Sequence, residues 1–244
     1  MDFFFEYLLN SIVGFSLELL AVIAGIYYLV REPIIKRRDK YLVYFLLFNF
    51  FLEIFASYAP IGFFSNFKYF SFVKNTPFEN NVWLYNIYLL INFSFFSYYF
   101  RSFLQNIKTR MVLKNLIFLF IILGTINLLY TDVFFKDYSL FSTVVGSLLV
   151  LIAVVLFYFN ILKSDEIINL KKLLPIYISI GVLVFNLCVT PLDIFSKYFN
   201  EENGLFITFK TSILVFASVF MYSAFITGFI VCAKSDSNKE ELLN

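Results

Sequence analysis

The stretch GFSLELLAVIAGIYYLVREPIIKRRDK, residues 14–40, decides how the whole chain is read. Its first half is apolar and long enough to cross a bilayer, because a spanning helix takes about 20 residues. One carboxylate, Glu18, sits at mid-depth. The run ends in five cations, Arg31, Lys36, Arg37, Arg38 and Lys40. Cations of this kind stay on the cytoplasmic side. The first span therefore runs from outside to inside, and each later span alternates from there.

Composition says the same. The chain is 61% hydrophobic and 15% charged, and its mean hydropathy is +0.82. A water-soluble domain carries about 25% charged residues. Too few polar groups are present to cover this apolar surface, so lipid is the solvent. Seven spans are expected, at about 8–30, 41–59, 82–103, 112–130, 140–162, 173–195 and 205–232. Residues 1–233 then form one all-α transmembrane domain, with a short N-terminal tail outside. Residues 234–244, KSDSNKEELLN, form a polar cytoplasmic tail. The second span is expected to stop at Pro60. The aromatic stretch PIGFFSNFKYFSFVKNTPFENN, residues 60–81, follows as a loop, since Asn66, Lys68, Lys74, Asn75 and Pro77 interrupt it. It is either a lid or a re-entrant segment.

The cations test this division. Arg31, Lys36, Arg37, Arg38, Lys40, Arg101, Lys108, Arg110, Lys114, Lys163, Lys171, Lys172, Lys234 and Lys239 fall on one side. Only Lys68, Lys74, Lys136, Lys197 and Lys210 fall on the other. So uneven a split orients the chain with its N-terminus outside and its C-terminus in the cytoplasm, in the inner membrane. Arg37, Arg38, Lys171 and Lys172 are placed to meet anionic lipid headgroups.

Intramembrane polar residues are the candidate functional groups, because a charge at mid-bilayer costs about 3 kcal/mol or more unless it is paired or wetted. Glu18 lies roughly 15 Å below the outer face and Glu53 roughly 10 Å, at about 1.5 Å per residue. Asn49 is one turn deeper than Glu53 on the same helix face. Tyr85, Tyr88 and Asn92 share a face of span 3. Asn186, Thr190 and Asp193 share one on span 6. Asn127 closes span 4, and Lys210 opens span 7 as the one cation within the outer end of a span. It is thus a candidate partner for Glu18 or Glu53, although Asp193 and Lys210 also read as solvated ends or as an ion pair. Most of these groups fall in the outer half of the bilayer. The amides read most simply as interhelical hydrogen bonds. Trp83 and the tyrosines at span ends read as an interfacial belt. The pairs Ala21/Gly25, Ser142/Gly146 and Ala224/Gly228 read as close packing within the bundle.

Much chemistry is excluded. The chain has no histidine, hence no Ser-His-Asp triad, zinc-protease helix or haem ligand. Cys188 and Cys232 are too few for a thiol metal site. No glycine-rich phosphate loop occurs, and no cofactor, metal or nucleic acid is implied. Enzymatic activity has no positive support.

The segments NNVWLYNIYLLINFSFFSYYF (80–100), GSLLVLIAVVLFYFNIL (146–162) and LPIYISIGVLVFNLCVTPLDIF (174–195) resemble an uncharacterised seven-span membrane-protein family of Bacteroidota. Position 92, asparagine here, is often acidic in similar proteins. The resemblance implies the topology and no site residue. Two functions remain, with a membrane-embedded lipid enzyme using a carboxylate a distant third. One is a receptor-like or sensory module that binds a small ligand or lipid in an outward-facing polar cavity and contacts a separate membrane or cytoplasmic partner protein. The other is a small-solute or ion transporter with Glu18 and Glu53 as proton or cation sites. The drier inner half favours the first.

Overall fold

A computed structural model describes residues 2–32, 35–196 and 204–241. Side chains are described from Ile12 to Ala233, except within the stretches just omitted and at 165, 166 and 205. The described residues form helices joined by short connections, with no strand among them. In order these are α1 (Asp2–Arg31), α2 (Arg37–Ala56), α3 (Tyr58–Phe64), α4 (Val82–Arg101), α5 (Ile107–Tyr130), α6 (Val133–Lys136), α7 (Leu140–Leu162), α8 (Leu174–Ser196) and α9 (Gly204–Glu241). Two 3-10 segments, Ser71–Val73 and Asp165–Lys172, lie in the connections.

Six helical segments are long and apolar enough to cross a membrane: Ile12–Arg31, Arg37–Phe64, Ile107–Tyr130, Leu140–Leu162, Leu174–Ser196 and Phe206–Ala233. Their apolar side chains point outward as often as inward. Val30, Phe118 and Leu129 are 79%, 65% and 76% exposed, which lipid tolerates and water does not. By length and hydropathy the chain is a multi-pass helical membrane protein. The remaining long helix, α4, has 20 residues. It falls short on hydropathy, not length, because Tyr85, Asn86, Tyr88, Asn92, Ser94, Ser97, Tyr98 and Tyr99 all lie in it.

The chain divides into two compact units. One comprises Met1–Phe50 with Tyr158–Asn244, the other Phe51–Phe157. In the first, α9 packs along both α1 and α8. The approach is close because glycines stand where the helices meet. A Cβ on Gly228 would fall 2.6 Å from the Cβ of Tyr177, and one on Gly25 would fall 2.9 Å from Val43. One turn along α1 from Gly25, the Tyr28 hydroxyl donates to Asp39 (3.3 Å), joining α1 to the first turn of α2. Both side chains are buried.

In the second unit α4 lies between α5 and α7. Along α7 it touches in the same direction at three levels. Asn86 bonds Ser139, Phe93 covers Gly146, and Phe100 meets Phe157. From Asn86 to Phe100 the rise is about 21 Å at 1.5 Å per residue. Along α5 it runs oppositely: Leu90 against Gly124, Phe93 against Phe120, and the Arg101 Nε donating to the Arg110 carbonyl (2.8 Å). A Cβ on Gly146 would overlap the Phe93 ring. Gly146→Leu is therefore expected to destabilise the protein by about 1–3 kcal/mol through overpacking. Unfolding titrations in mixed micelles measure this, and an unchanged midpoint would disprove the α4–α7 approach. The three small-residue pairs thus serve packing within each unit, as the sequence implied.

Pro60 does not end the second span. It sits inside α3, and the helix runs on to Phe64. Ser57 N–H bonds the Glu53 carbonyl (3.1 Å) and Ile61 N–H the Ser57 carbonyl (3.1 Å), so the ladder continues across the break. Proline lacks an N–H, which would leave the Ala56 carbonyl without a donor. The Asn81 side-chain amide supplies it instead, at 3.1 Å. The connection beyond is held by Tyr58. Its hydroxyl lies 2.8 Å from the Phe78 carbonyl and 2.7 Å from that of Asn80, and it accepts from Trp83 Nε1 at 3.0 Å. Trp83 is thus a structural donor as well as an aromatic end residue.

At the C-terminal end the helix of α9 extends through Glu241, so residues 234–241 of the tail continue the last helix. The N-terminal residues from Asp2 likewise belong to α1. The expected short tail ahead of the first span is helical backbone.

Candidate functional site

Helix spacing brings the polar side chains of α2 and α4 together in the second unit. Glu53 lies four residues before Ser57, where the chain bends, and Tyr85 lies in the first turn of α4. The Tyr85 hydroxyl donates to Glu53 Oε2 at 2.7 Å, a well-formed hydrogen bond. Two further tyrosines stand against the Tyr85 ring. Tyr88 lies 6.4 Å away at 80°, and Tyr138, just before α7, lies 6.2 Å away at 64°. The Tyr88 hydroxyl donates weakly to Asn92 Oδ1 at 3.4 Å. The shared face of Tyr85, Tyr88 and Asn92 is as the sequence implied. Among the described residues no lysine or arginine pairs with Glu53.

At the next position along α4 lies a second polar group, which sequence reading missed. Asn86 is fully buried. Its amide nitrogen donates to the carbonyls of Phe134 (3.1 Å) and Asp137 (3.0 Å), with Val133 at 3.4 Å. Its oxygen accepts the Ser139 N–H at 2.8 Å. The Ser139 hydroxyl in turn donates to Asn127 Oδ1 (3.0 Å) and meets that of Ser142 (2.9 Å). Asn86 thereby ties the α5–α7 connection to α4. Its neighbours in the sequence, Tyr85 and Ile87, gave no hint, because what covers Asn86 is backbone from about fifty residues later.

No protein-family model matches this chain, and neither a curated protein nor a solved structure matches it.

The first unit holds the other candidates in separate pairs. Glu18 Oε1 accepts from the Tyr222 hydroxyl at 2.8 Å, joining α1 to α9 at mid-helix. Tyr222, a buried phenol in the middle of an apolar span, carried a signal that the sequence reading passed over. Lys210, expected to answer Glu18 or Glu53, lies 3.6 Å from Asp193 instead. The ion-pair alternative holds there, between facing ends of α8 and α9. Among the described residues Asn186 makes no bond across helices. Its amide donates to the Val182 carbonyl of its own helix at 2.8 Å. Asn49 is buried, and its side-chain oxygen has no hydrogen-bond partner among the described residues.

The two ends of the second unit differ in kind. The end with Glu53, Tyr85, Asn86, Asn127 and Ser139 is polar. The end with Phe96, Phe100, Leu104, Leu113 and Phe157 is buried and mostly hydrocarbon, with Ser97 and Tyr99 among it. Phe157 packs edge to face on Phe103 (5.3 Å) and tilted on Phe100 (5.5 Å). Among the described residues no three metal-ligating side chains gather, and Cys188 and Cys232 are free thiols.

Proposed function

We propose that the chain is a seven-span sensory module of the inner membrane, with its N-terminus outside, its C-terminus in the cytoplasm, and α4 as the seventh span. A small ligand binds at the polar end of the second unit. The basic connections meet anionic lipid headgroups and a separate partner protein.

One observation carries the sensory reading. In the second unit the acid and the amides collect at one end, while phenylalanine rings around Phe100 and Phe157 dominate the other, with Tyr99 and Ser97 its buried polar side chains. A transporter wets both halves of its pathway in turn, and the Phe100–Phe157 contact offers water no polar groups. The division of cations along the sequence supports the orientation. The packing of α4 beside α5 and α7 over about 21 Å supports counting it as a span, and the three segments similar to the seven-span family of Bacteroidota agree.

The test is reconstitution of the full chain into proteoliposomes loaded with a pH-sensitive dye. Wild type, Glu18→Gln and Glu53→Gln are expected to show the same passive proton leak. A proton flux that either substitution abolishes would make the protein a transporter. Single cysteines placed near Ser71 and near Lys108 test the topology. The first should react with an impermeant maleimide added outside intact cells and the second should not. Labelling of both from outside would remove α4 as a span.

A further inference from the structure

We propose that the ligand held at the Glu53–Tyr85–Tyr88–Tyr138 cluster is an organic cation, a quaternary ammonium or a primary amine on a short hydrocarbon; this rests on the sensory reading above.

Four features of the site select that chemistry. Glu53 sits within a helix that is long and apolar enough to span, and among the described residues no lysine or arginine neutralises it. A carboxylate so placed favours a positive partner and disfavours an anion. Its one hydrogen-bond partner among the described residues, the Tyr85 hydroxyl, spends a single hydrogen bond on one of two oxygens, while a carboxylate accepts about four. Tyr88 and Tyr138 meet Tyr85 at steep angles, so neither is stacked face to face on it. Ring faces attract cations, and aromatic side chains suit quaternary ammonium groups.

An inorganic cation fits poorly. A calcium ion takes six to eight oxygen ligands and magnesium a strict octahedron, generally from several carboxylates. Here one carboxylate stands among phenols, and no cluster of three acidic, cysteine or histidine ligands exists among the described residues. A diffuse, poorly hydrated ammonium loses little on leaving water and gains both the carboxylate and the ring faces. Access is provided at Tyr138, which is 47% exposed and lies in the connection ahead of α7.

The protein carries its own reporter. Trp83, the single tryptophan, lies two residues before Tyr85 on α4 and donates to Tyr58. The full chain in lipid nanodiscs is titrated with choline, with tetraethylammonium, and with 3,3-dimethylbutan-1-ol, the neutral isostere of choline. Trp83 fluorescence and the thermal midpoint are followed. The cations are expected to give a saturable change and the isostere none. Glu53→Gln should weaken choline at least tenfold. Tyr138→Phe, which keeps the ring face, should bind as wild type, and Tyr138→Leu should lose at least tenfold. Because Tyr138 is half-exposed, that pair remains readable even where Glu53→Gln fails to fold. No saturable response to either cation, an equal response to the isostere, or unchanged choline binding by Glu53→Gln overturns the proposal. If neutral or anionic compounds instead saturate the Trp83 signal and the cations do not, the charge class is wrong and small-ligand binding stands.

Discussion

Asn86→Leu is expected to lower stability by roughly 3 kcal/mol, a loss large enough to matter for a protein whose folded state is marginal. The size follows from what the substitution leaves behind. The Ser139 N–H has no described acceptor other than Asn86 Oδ1, and Ser139 is 1% exposed. The Phe134 and Asp137 carbonyls lose a donor at the same moment. The buried Ser139 N–H stranded in this way costs about 1–3 kcal/mol by itself. Asn86→Asp should be no rescue. It keeps an acceptor for Ser139 but turns an oxygen toward three carbonyls. Asn92→Leu is the matched control on the same helix. Its one described bond is 3.4 Å long, and removing it should cost about 0.5 kcal/mol or less. Denaturant titration of the three variants in mixed micelles measures the difference. Equal midpoints for Asn86→Leu and Asn92→Leu would show that the α5–α7 connection is not held by Asn86.

Phe157→Ala is expected to cost about 3–5 kcal/mol, at the opposite end of the same unit. Phe157 is fully buried, as is Phe100, and Phe103 closes the third side. The protein interior is close-packed, so truncation leaves a hole that Phe100 and Phe103 cannot both fill. In a bilayer, lipid solvates apolar side chains as well as protein does, so the loss is one of contact and not of hydrophobic transfer. The lower part of the range is the better guide for that reason. Phe157→Leu should cost under about 1.5 kcal/mol. The functional expectation is separate. If the phenylalanine end only seals the unit, Phe157→Ala leaves choline titration of Trp83 unchanged while lowering the thermal midpoint. A parallel loss of the choline response would mean that the two ends act as one.

The helical, membrane-spanning character of this chain was legible in residues 14–40 alone, because bilayer thickness and charge placement leave few other readings. Six of the expected spans are segments of the required length and hydropathy. The face shared by Tyr85, Tyr88 and Asn92 was legible too, since helix periodicity is local. Partners were not. Lys210 was set against Glu18 or Glu53 on depth, and depth says nothing of azimuth. Lys210 lies against Asp193, and Tyr222, which the sequence reading had left unused, takes Glu18. Asn86 was missed for the opposite reason. Its partners are main-chain groups, which every residue carries and no side-chain pattern reveals. Pro60 misled because its missing N–H was taken to end the helix, whereas Asn81, twenty-one positions later, repairs the ladder. Each failure is a tertiary contact overriding a local rule.

The make-up of α4 bears on how the protein is assembled. A segment carrying two asparagines, two serines and four tyrosines is a poor substrate for one-by-one partitioning from the translocon into lipid. Its company, α5 and α7, leaves the ribosome later. With α4 as a span, as proposed, the nascent helix is expected to stay beside the insertion machinery until α5 and then α7 arrive to cover Phe93 and Asn86. Truncation after Tyr130 should strand it there, and a glycosylation reporter fused at successive lengths would show integration completing only once α7 has emerged.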